Sequence, residues 1–97
     1  MSIDEKIKSI VERWKERDSR IVNIIVLNES GEPIYNDTLS PEIALASGSF
    51  ARELYEKAKE VFKELNIEPD VVELDYTNFS LVIRRKNKIF LVLIMKR

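Results

Sequence analysis

Apolar residues recur along the chain with two different periods, and these periods predict two helices and five strands. Near the start, Ile3, Ile7, Ile10, Val11 and Trp14 follow one another at spacings of three and four residues. That spacing places them on one side of an α-helix. We therefore predict a first helix that lays an apolar stripe on a sheet and keeps its charged residues in solvent.

Both predicted helices begin with recognisable capping signals. Ser2 and Glu5 have the spacing of a capping box at the start of the first helix. Ser40 is a good N-cap for the second helix, and Pro41 suits its first position. We predict that the second helix runs from Pro41 to about Asn66.

The second helix has an apolar arc that is wider than contact with one sheet face requires. At about 100° per residue, the central line of this arc holds Ile43, Phe50, Leu54, Ala58, Val61 and Leu65. The flank of the arc consists of small and aromatic residues, namely Ala44, Gly48, Ala51, Tyr55 and Phe62. We expect a second backbone to approach this flank closely.

The remaining apolar segments are short and have the period of β-strands. Two of them, Ile21–Leu27 and Ile89–Met95, are apolar on both alternating sets, which is typical of central strands covered on both faces. Pro33–Asn36 starts with proline, as an edge strand can. Val71–Tyr76 alternates Val72, Leu74 and Tyr76 with Glu73 and Asp75, and in Phe79–Arg85 the residues Phe79, Leu81 and Ile83 share one face. The prediction is one α/β (α+β) domain over residues 1–97, with the order α-β-β-α-β-β-β.

Composition argues against catalysis. The 97 residues include no histidine and no cysteine, which excludes Ser-His-Asp and Cys-His catalysis and the usual zinc sites. The glycines, Gly31 and Gly48, cannot form a P-loop or a dinucleotide-binding motif. Asp70, Glu73 and Asp75 lie close in sequence, and we interpret them as a solvated strand face. We expect no enzyme activity, no cofactor and no metal.

Charge is balanced, with 16 basic and 17 acidic residues, so the chain has no net field that would attract nucleic acid or an anionic membrane. One basic hairpin stands out as a candidate patch for an anionic ligand: Arg84, Arg85, Lys86 and Lys88. It lacks interleaved aromatic residues. The first residues lack the basic start and the apolar run of a signal peptide, and no stretch of the sequence approaches about 20 apolar residues, so we expect a cytoplasmic protein. The absence of glutamine and the abundance of Ile, Glu and Lys favour a thermophilic source, such as an archaeon.

The chain resembles the roadblock/LC7 family over nearly its whole length. The resemblance is carried by Ile21–Tyr35, where an apolar strand and an Asn/Glu/Ser/Gly turn precede Pro-Ile-Tyr, by the long helix Pro41–Leu65, and by the closing pair Phe79–Arg85 and Ile89–Met95. It implies a mainly antiparallel sheet of order 2-1-5-4-3 with a helix on each face. Longer family members add a helix after the last strand. The sequence predicts no such helix here, so this chain resembles the short form typified by roadblock-type dynein light chains.

The resemblance also implies a homodimer, or a dimer with a paralogue, joined through the second helix and the third strand. The predicted interface consists of Ala44, Gly48, Ala51, Tyr55, Phe62, Val72, Glu73, Leu74 and Asp75. A plainer interpretation stays open. Gly48 would then be a tolerated helix glycine that costs about 1 kcal/mol, and the carboxylates of the third strand would protect a free edge.

Roadblock proteins are scaffolds and regulators, and many bind small Ras-like GTPases. The resemblance therefore implies a non-catalytic dimeric scaffold that binds such a GTPase. A second hypothesis is an adaptor that clasps a partner helix. If the two helices cover opposite faces of the sheet, the face under the first is only partly shielded, and an apolar groove could seat a helix there. Alternatively, the first helix with Trp14 covers that face adequately. A third hypothesis is nucleic-acid or membrane binding through residues 84–88.

Overall fold

The computed structural model of the chain describes residues 3–38 and 40–97. Within them the predicted element order is confirmed: α1 (Ile3–Arg17), β1 (Ile21–Leu27), β2 (Pro33–Asn36), α2 (Pro41–Val61), β3 (Val71–Asp75), β4 (Phe79–Lys86) and β5 (Ile89–Lys96). The predicted capping box at the start of α1 includes Ser2, which lies outside the described residues. The cap of α2 is confirmed, because the Ser40 hydroxyl accepts a hydrogen bond from the Ile43 N–H at 3.2 Å.

The five strands form one sheet of order β2-β1-β5-β4-β3, in which neighbouring strands are antiparallel. This is the order that the sequence resemblance implies. The two strands that are apolar on both sides, β1 and β5, lie next to each other, and Ile25 pairs with Val92. Both have a hydrogen-bonded neighbour on each side, and their faces are covered by the two helices. The sheet ends at β2 on one side and at β3 on the other.

The two helices cover opposite faces of the sheet, and each face has its own apolar core. Alternation along β1 sends Ile25 and Leu27 towards α2, and Ile24 and Val26 towards α1. The core under α2 contains Ile25, Leu27, Ala44, Ala51, Tyr55, Leu81, Ile83, Phe90 and Val92. The core under α1 contains Val11, Ile24, Val26, Val82, Leu91 and Leu93. Only one residue of α1, Val11, is fully buried among those described.

Helix α2 ends at Val61, earlier than the predicted end near Asn66. A 3₁₀ turn follows over Lys63–Leu65, and Asn66 adopts a left-handed conformation with φ of 55°. Residues 61–68 are all exposed. The apolar side chains at the predicted end of the helix are therefore not buried on the sheet, and the described residues provide little packing that would favour α-helical geometry here.

Asp37 joins α1 to the sheet just beyond the end of β2. The last pair between β1 and β2 is Ile25 with Asn36, so the strand ladder does not continue to Ile24. The Asp37 carboxylate accepts the Ile24 N–H at 2.8 Å in place of a strand. The same carboxylate forms an ion pair with Lys15 of α1. One side chain thus caps the short edge strand and fixes the helix above it.

Candidate protein-binding surfaces

The face of α2 that was predicted to meet a second copy instead packs on the chain's own sheet. Ala44, Gly48, Ala51 and Tyr55 are all buried in the single chain. The Tyr55 ring meets Phe90 edge to face at 5.4 Å, and its hydroxyl donates to the Pro69 carbonyl oxygen at 3.2 Å. The predicted interface is therefore corrected for these four residues. They form the core of this chain and are not accessible to a partner.

Gly48 is required by a close contact inside the chain. A Cβ atom at Gly48 would overlap the backbone carbonyl oxygen of Gly31, and it would lie 3.0 Å from a methyl group of Leu27. Gly31 itself has φ of +86°, in the region that favours glycine. The second backbone expected at the flank of α2 is thus the turn between β1 and β2. Gly48 is neither an exposed dimer contact nor a tolerated helix defect.

The central line of the apolar arc of α2 is exposed, unlike its flank. Ile43, Phe50 and Val61 are among the exposed large apolar residues, and Leu54 is half-buried beside them. These four residues, which we call the α2 stripe, lie within an arc of about 40° at 100° per residue. The sequence showed the stripe as the centre of the apolar arc, but it did not show that the small flank residues would face the sheet. Small side chains let the helix backbone come close to the strands.

Strand β3 is an unpaired edge next to this stripe. Val72 and Leu74 are half-buried on the side facing α2, as is Leu54, and all three pack against the same core. Glu73 and Asp75 are exposed on the opposite face of the strand. Phe62, at the end of α2, is also exposed. These five predicted interface residues are accessible or half-accessible, so their role in an interface stays a prediction.

The carboxylates of β3 interact with each other. A hydrogen bond with Asp75 raises the pKa of Glu73 above its ordinary value of 4.5, although Arg97 and Arg20 act in the opposite direction. The Ser80 hydroxyl donates to Asp75 at 2.6 Å, and this bond, followed by the bond with Glu73, lowers the pKa of Asp75. The edge of β3 therefore carries concentrated negative charge near neutral pH. Asp70 adds no metal site to it, since the described residues include no cluster of three or more His, Cys, Asp or Glu that could hold a metal ion.

The face under α1 contains an apolar groove of about 540 Å³ between α1 and the β4–β5 hairpin. Trp14 is half-buried at its side and does not fill it. Lysine side chains from the hairpin border the groove. It is lined by Ile7, Ile10, Val11, Trp14, Ile24, Val26, Lys86, Asn87, Lys88, Ile89 and Leu91.

The predicted basic patch is divided by the sheet. Arg85 lies on the face of α2, where its guanidinium is 5.9 Å from the Tyr55 ring centre and 5.6 Å from that of Phe90. It also approaches the Glu29 carboxylate at 3.9 Å. Arg84 and Lys86 point to the opposite face because side chains alternate along β4. The prediction of a single four-residue patch is therefore corrected, since Arg85 is engaged inside the chain. Among the described residues, no helix is long and apolar enough to cross a membrane.

The arrangement of helices and strands is that of the roadblock/LC7 fold. The chain superposes over its full length on 80% of a roadblock/LC7 domain from Streptomyces avermitilis, with a TM-score of 0.80 at 14% identity. It is equally similar to MglB from Myxococcus xanthus, with a TM-score of 0.80 at 15% identity over 99% of this chain and 80% of that one. For the gliding protein MglB of Thermus thermophilus the TM-score is 0.79 at 10% identity, over 96% of this chain and 73% of that one. No family model and no curated protein sequence matches the chain.

Proposed function

We propose that this chain is a non-catalytic roadblock-type scaffold that pairs through α2 and β3 and binds a small Ras-like GTPase. The observation that carries the proposal is the continuity of two exposed features, the α2 stripe and the free edge of β3. Helix α2 and strand β3 are in contact, so these features form one surface. Exposed apolar area next to an unpaired strand is a surface that a partner chain would cover.

Self-association has support from one structure with the same fold. One MglB structure with the same fold, similar at a TM-score of 0.80 and 10% identity, is described as having a tetrameric arrangement. The GTPase is what the roadblock resemblance implies for this chain. A binding role also agrees with the lack of histidine and cysteine in the sequence. We propose that the protein works in the cytoplasm, where Ras-like GTPases act.

The experiment that tests the GTPase proposal is capture of partners followed by direct titration. The chain is immobilised and exposed to lysate of its source organism loaded with either GDP or a non-hydrolysable GTP analogue. We expect recovery of a P-loop GTPase with a preference for one nucleotide state. That GTPase is then purified and titrated against the chain. If no GTPase is recovered in either state, or if the purified GTPase does not bind, the proposal is wrong.

A second candidate function is an adaptor that clasps a partner helix in the groove under α1. The observation in its favour is the apolar lining of that groove with lysines at its border. Ile10 lines the groove and is 39% exposed, whereas Ile34 on β2 is 42% exposed and lies away from it. Loss of the captured partner with Ile10→Asp but not with Ile34→Asp assigns binding to the groove. An equal effect of both variants excludes it.

A further inference from the structure

The free edge of β3 carries acidic side chains and no basic ones. β3 is the last strand of the sheet, and its five residues are Val71, Val72, Glu73, Leu74 and Asp75. Alternation places Glu73 and Asp75 on the same face, where they oppose Val82 and Ser80 of β4. A partner strand that extends the sheet at this edge would therefore lie directly beside two carboxylates.

A second copy of the chain would bring the same charges to this place. When two identical strands pair antiparallel about a two-fold axis, the axis passes through one residue and its copy. The register that pairs all five residues of β3 is centred on Glu73, and it sets Glu73 opposite Glu73 of the second copy. A shift of the centre to Leu74 sets Glu73 opposite Asp75 of the second copy. Like charges directly opposite each other destabilise a strand pair.

Cations near Glu73 lie on its other side, towards the body of the sheet. Arg20 precedes β1 and already binds Asp18 at 2.9 Å. Arg97 follows β5 and donates to the Tyr76 carbonyl oxygen at 2.7 Å. The charged groups that share a surface depression with Glu73 are Arg17, Asp18, Arg20, Asp75, Arg84, Lys86, Lys96 and Arg97. None of the cations belongs to β3, so none stands between Glu73 and a strand added at its outer edge.

We propose that Glu73 and Asp75 make the β3 edge selective, so that it opposes an identical edge at neutral pH and favours a partner strand with a cationic side chain opposite Glu73. The inference rests on the proposed pairing through β3, and it names the partner that this surface prefers. It also has a consequence for pH. Pairing of two identical β3 edges brings their carboxylates closer together and raises the pKa of Glu73 further. The paired state therefore takes up protons. Association of identical chains therefore strengthens as the pH falls.

The test is a charge swap measured by the dissociation constants of the pairs. Wild-type chain and Glu73→Lys chain carry different fluorophores, and each self-pair and the mixed pair are titrated near neutral pH. We expect the mixed pair to be about two- to fivefold tighter than the wild-type pair, because an opposite-charge contact replaces one like-charge contact. The control is Glu56→Lys, which makes the same charge change on an exposed part of α2 away from the stripe and should give no preference for the mixed pair.

A second measurement uses the wild-type chain and needs no substitution that could disturb the fold. Its self-association is followed from about pH 7.5 to about pH 5, where a carboxyl group with a raised pKa begins to take up protons. We expect tighter pairing at the acidic end and a flatter profile for Glu73→Gln. Self-pairs and mixed pairs of equal affinity, with no effect of pH, would overturn the charge selection and leave the pairing intact. If all the chains are monomeric under every condition, the pairing through β3 itself fails, and this inference fails with it.

Discussion

At the scale of single residues, Gly48 and Gly31 hold α2 against the turn between β1 and β2. Replacement of Gly48 by alanine adds a methyl group that meets the Gly31 carbonyl oxygen, a backbone atom that cannot move alone. Alanine favours a helix by up to about 1 kcal/mol over glycine, but overpacking costs about 1–3 kcal/mol. We expect Gly48→Ala to lower the free energy of unfolding, measured by chemical denaturation.

The matched control for this prediction is Ser49→Ala, which changes the neighbouring exposed position on the same helix. Its stability should stay within about 0.5 kcal/mol of the wild type. A Gly48→Ala variant that is more stable than the wild type would mean that helix propensity decides this position, and that the contact with Gly31 does not.

Two substitutions at Asp37 separate its hydrogen bond from Ile24 and its ion pair with Lys15. Asp37→Ala removes the acceptor of the Ile24 N–H and leaves that group without a partner, which costs about 1–3 kcal/mol. Asp37→Asn keeps an oxygen that can accept this bond and loses only the charge that pairs with Lys15. We expect the alanine variant to be clearly less stable than the asparagine variant in urea unfolding. Equal losses would show that the ion pair dominates.

At the scale of elements, α2 has two apolar faces with different uses. The small face packs on the sheet, and the α2 stripe remains exposed beside β3. A charge placed on the stripe should therefore act on pairing and leave the fold unchanged. Phe50→Glu and Val61→Glu, at positions 43% and 70% exposed, are expected to weaken self-association or pairing with a paralogue by about tenfold or more. The measurement is light scattering coupled to size exclusion, over a concentration series.

Leu45→Glu is the control for the stripe variants. Leu45 is 64% exposed and lies on the opposite side of α2, about 160° from the centre of the stripe. It should leave the association unchanged, and circular dichroism should show all three variants folded. If Leu45→Glu weakens pairing as much as Phe50→Glu does, the stripe is not the interface.

At the scale of the whole molecule, the two edges of the sheet differ in how well they are protected. β2 is four residues long, starts with Pro33, and pairs with β1 through an irregular register at Val26 and Leu27. These features discourage further strand pairing. β3 contains no proline or bulge, so within this strand only the charges of Glu73 and Asp75 protect the edge against further strand pairing. We therefore expect a partner that extends this sheet to add its strand at β3, next to the charges of Glu73 and Asp75.

Local signals in the sequence determined the elements themselves. The two hydrophobic periods and the cap at Ser40 depend on neighbouring residues only, so the strand and helix types, their order and the start of α2 could be predicted. The adjacency of β1 and β5 agreed with the same pattern, because strands that are apolar on both sides need cover on both faces.

Only the tertiary structure decided which side of α2 faces the sheet, where α2 ends and which basic residues stand together. The sequence of a wide apolar arc does not show which half of it will be buried, because this depends on how closely the helix can approach the strands. The contact between Gly48 and Gly31 joins residues far apart in the sequence, and the two rings beneath Arg85 come from different elements. Which apolar residues are buried and which are exposed therefore depended on the distances between elements. No local sequence pattern contains those distances.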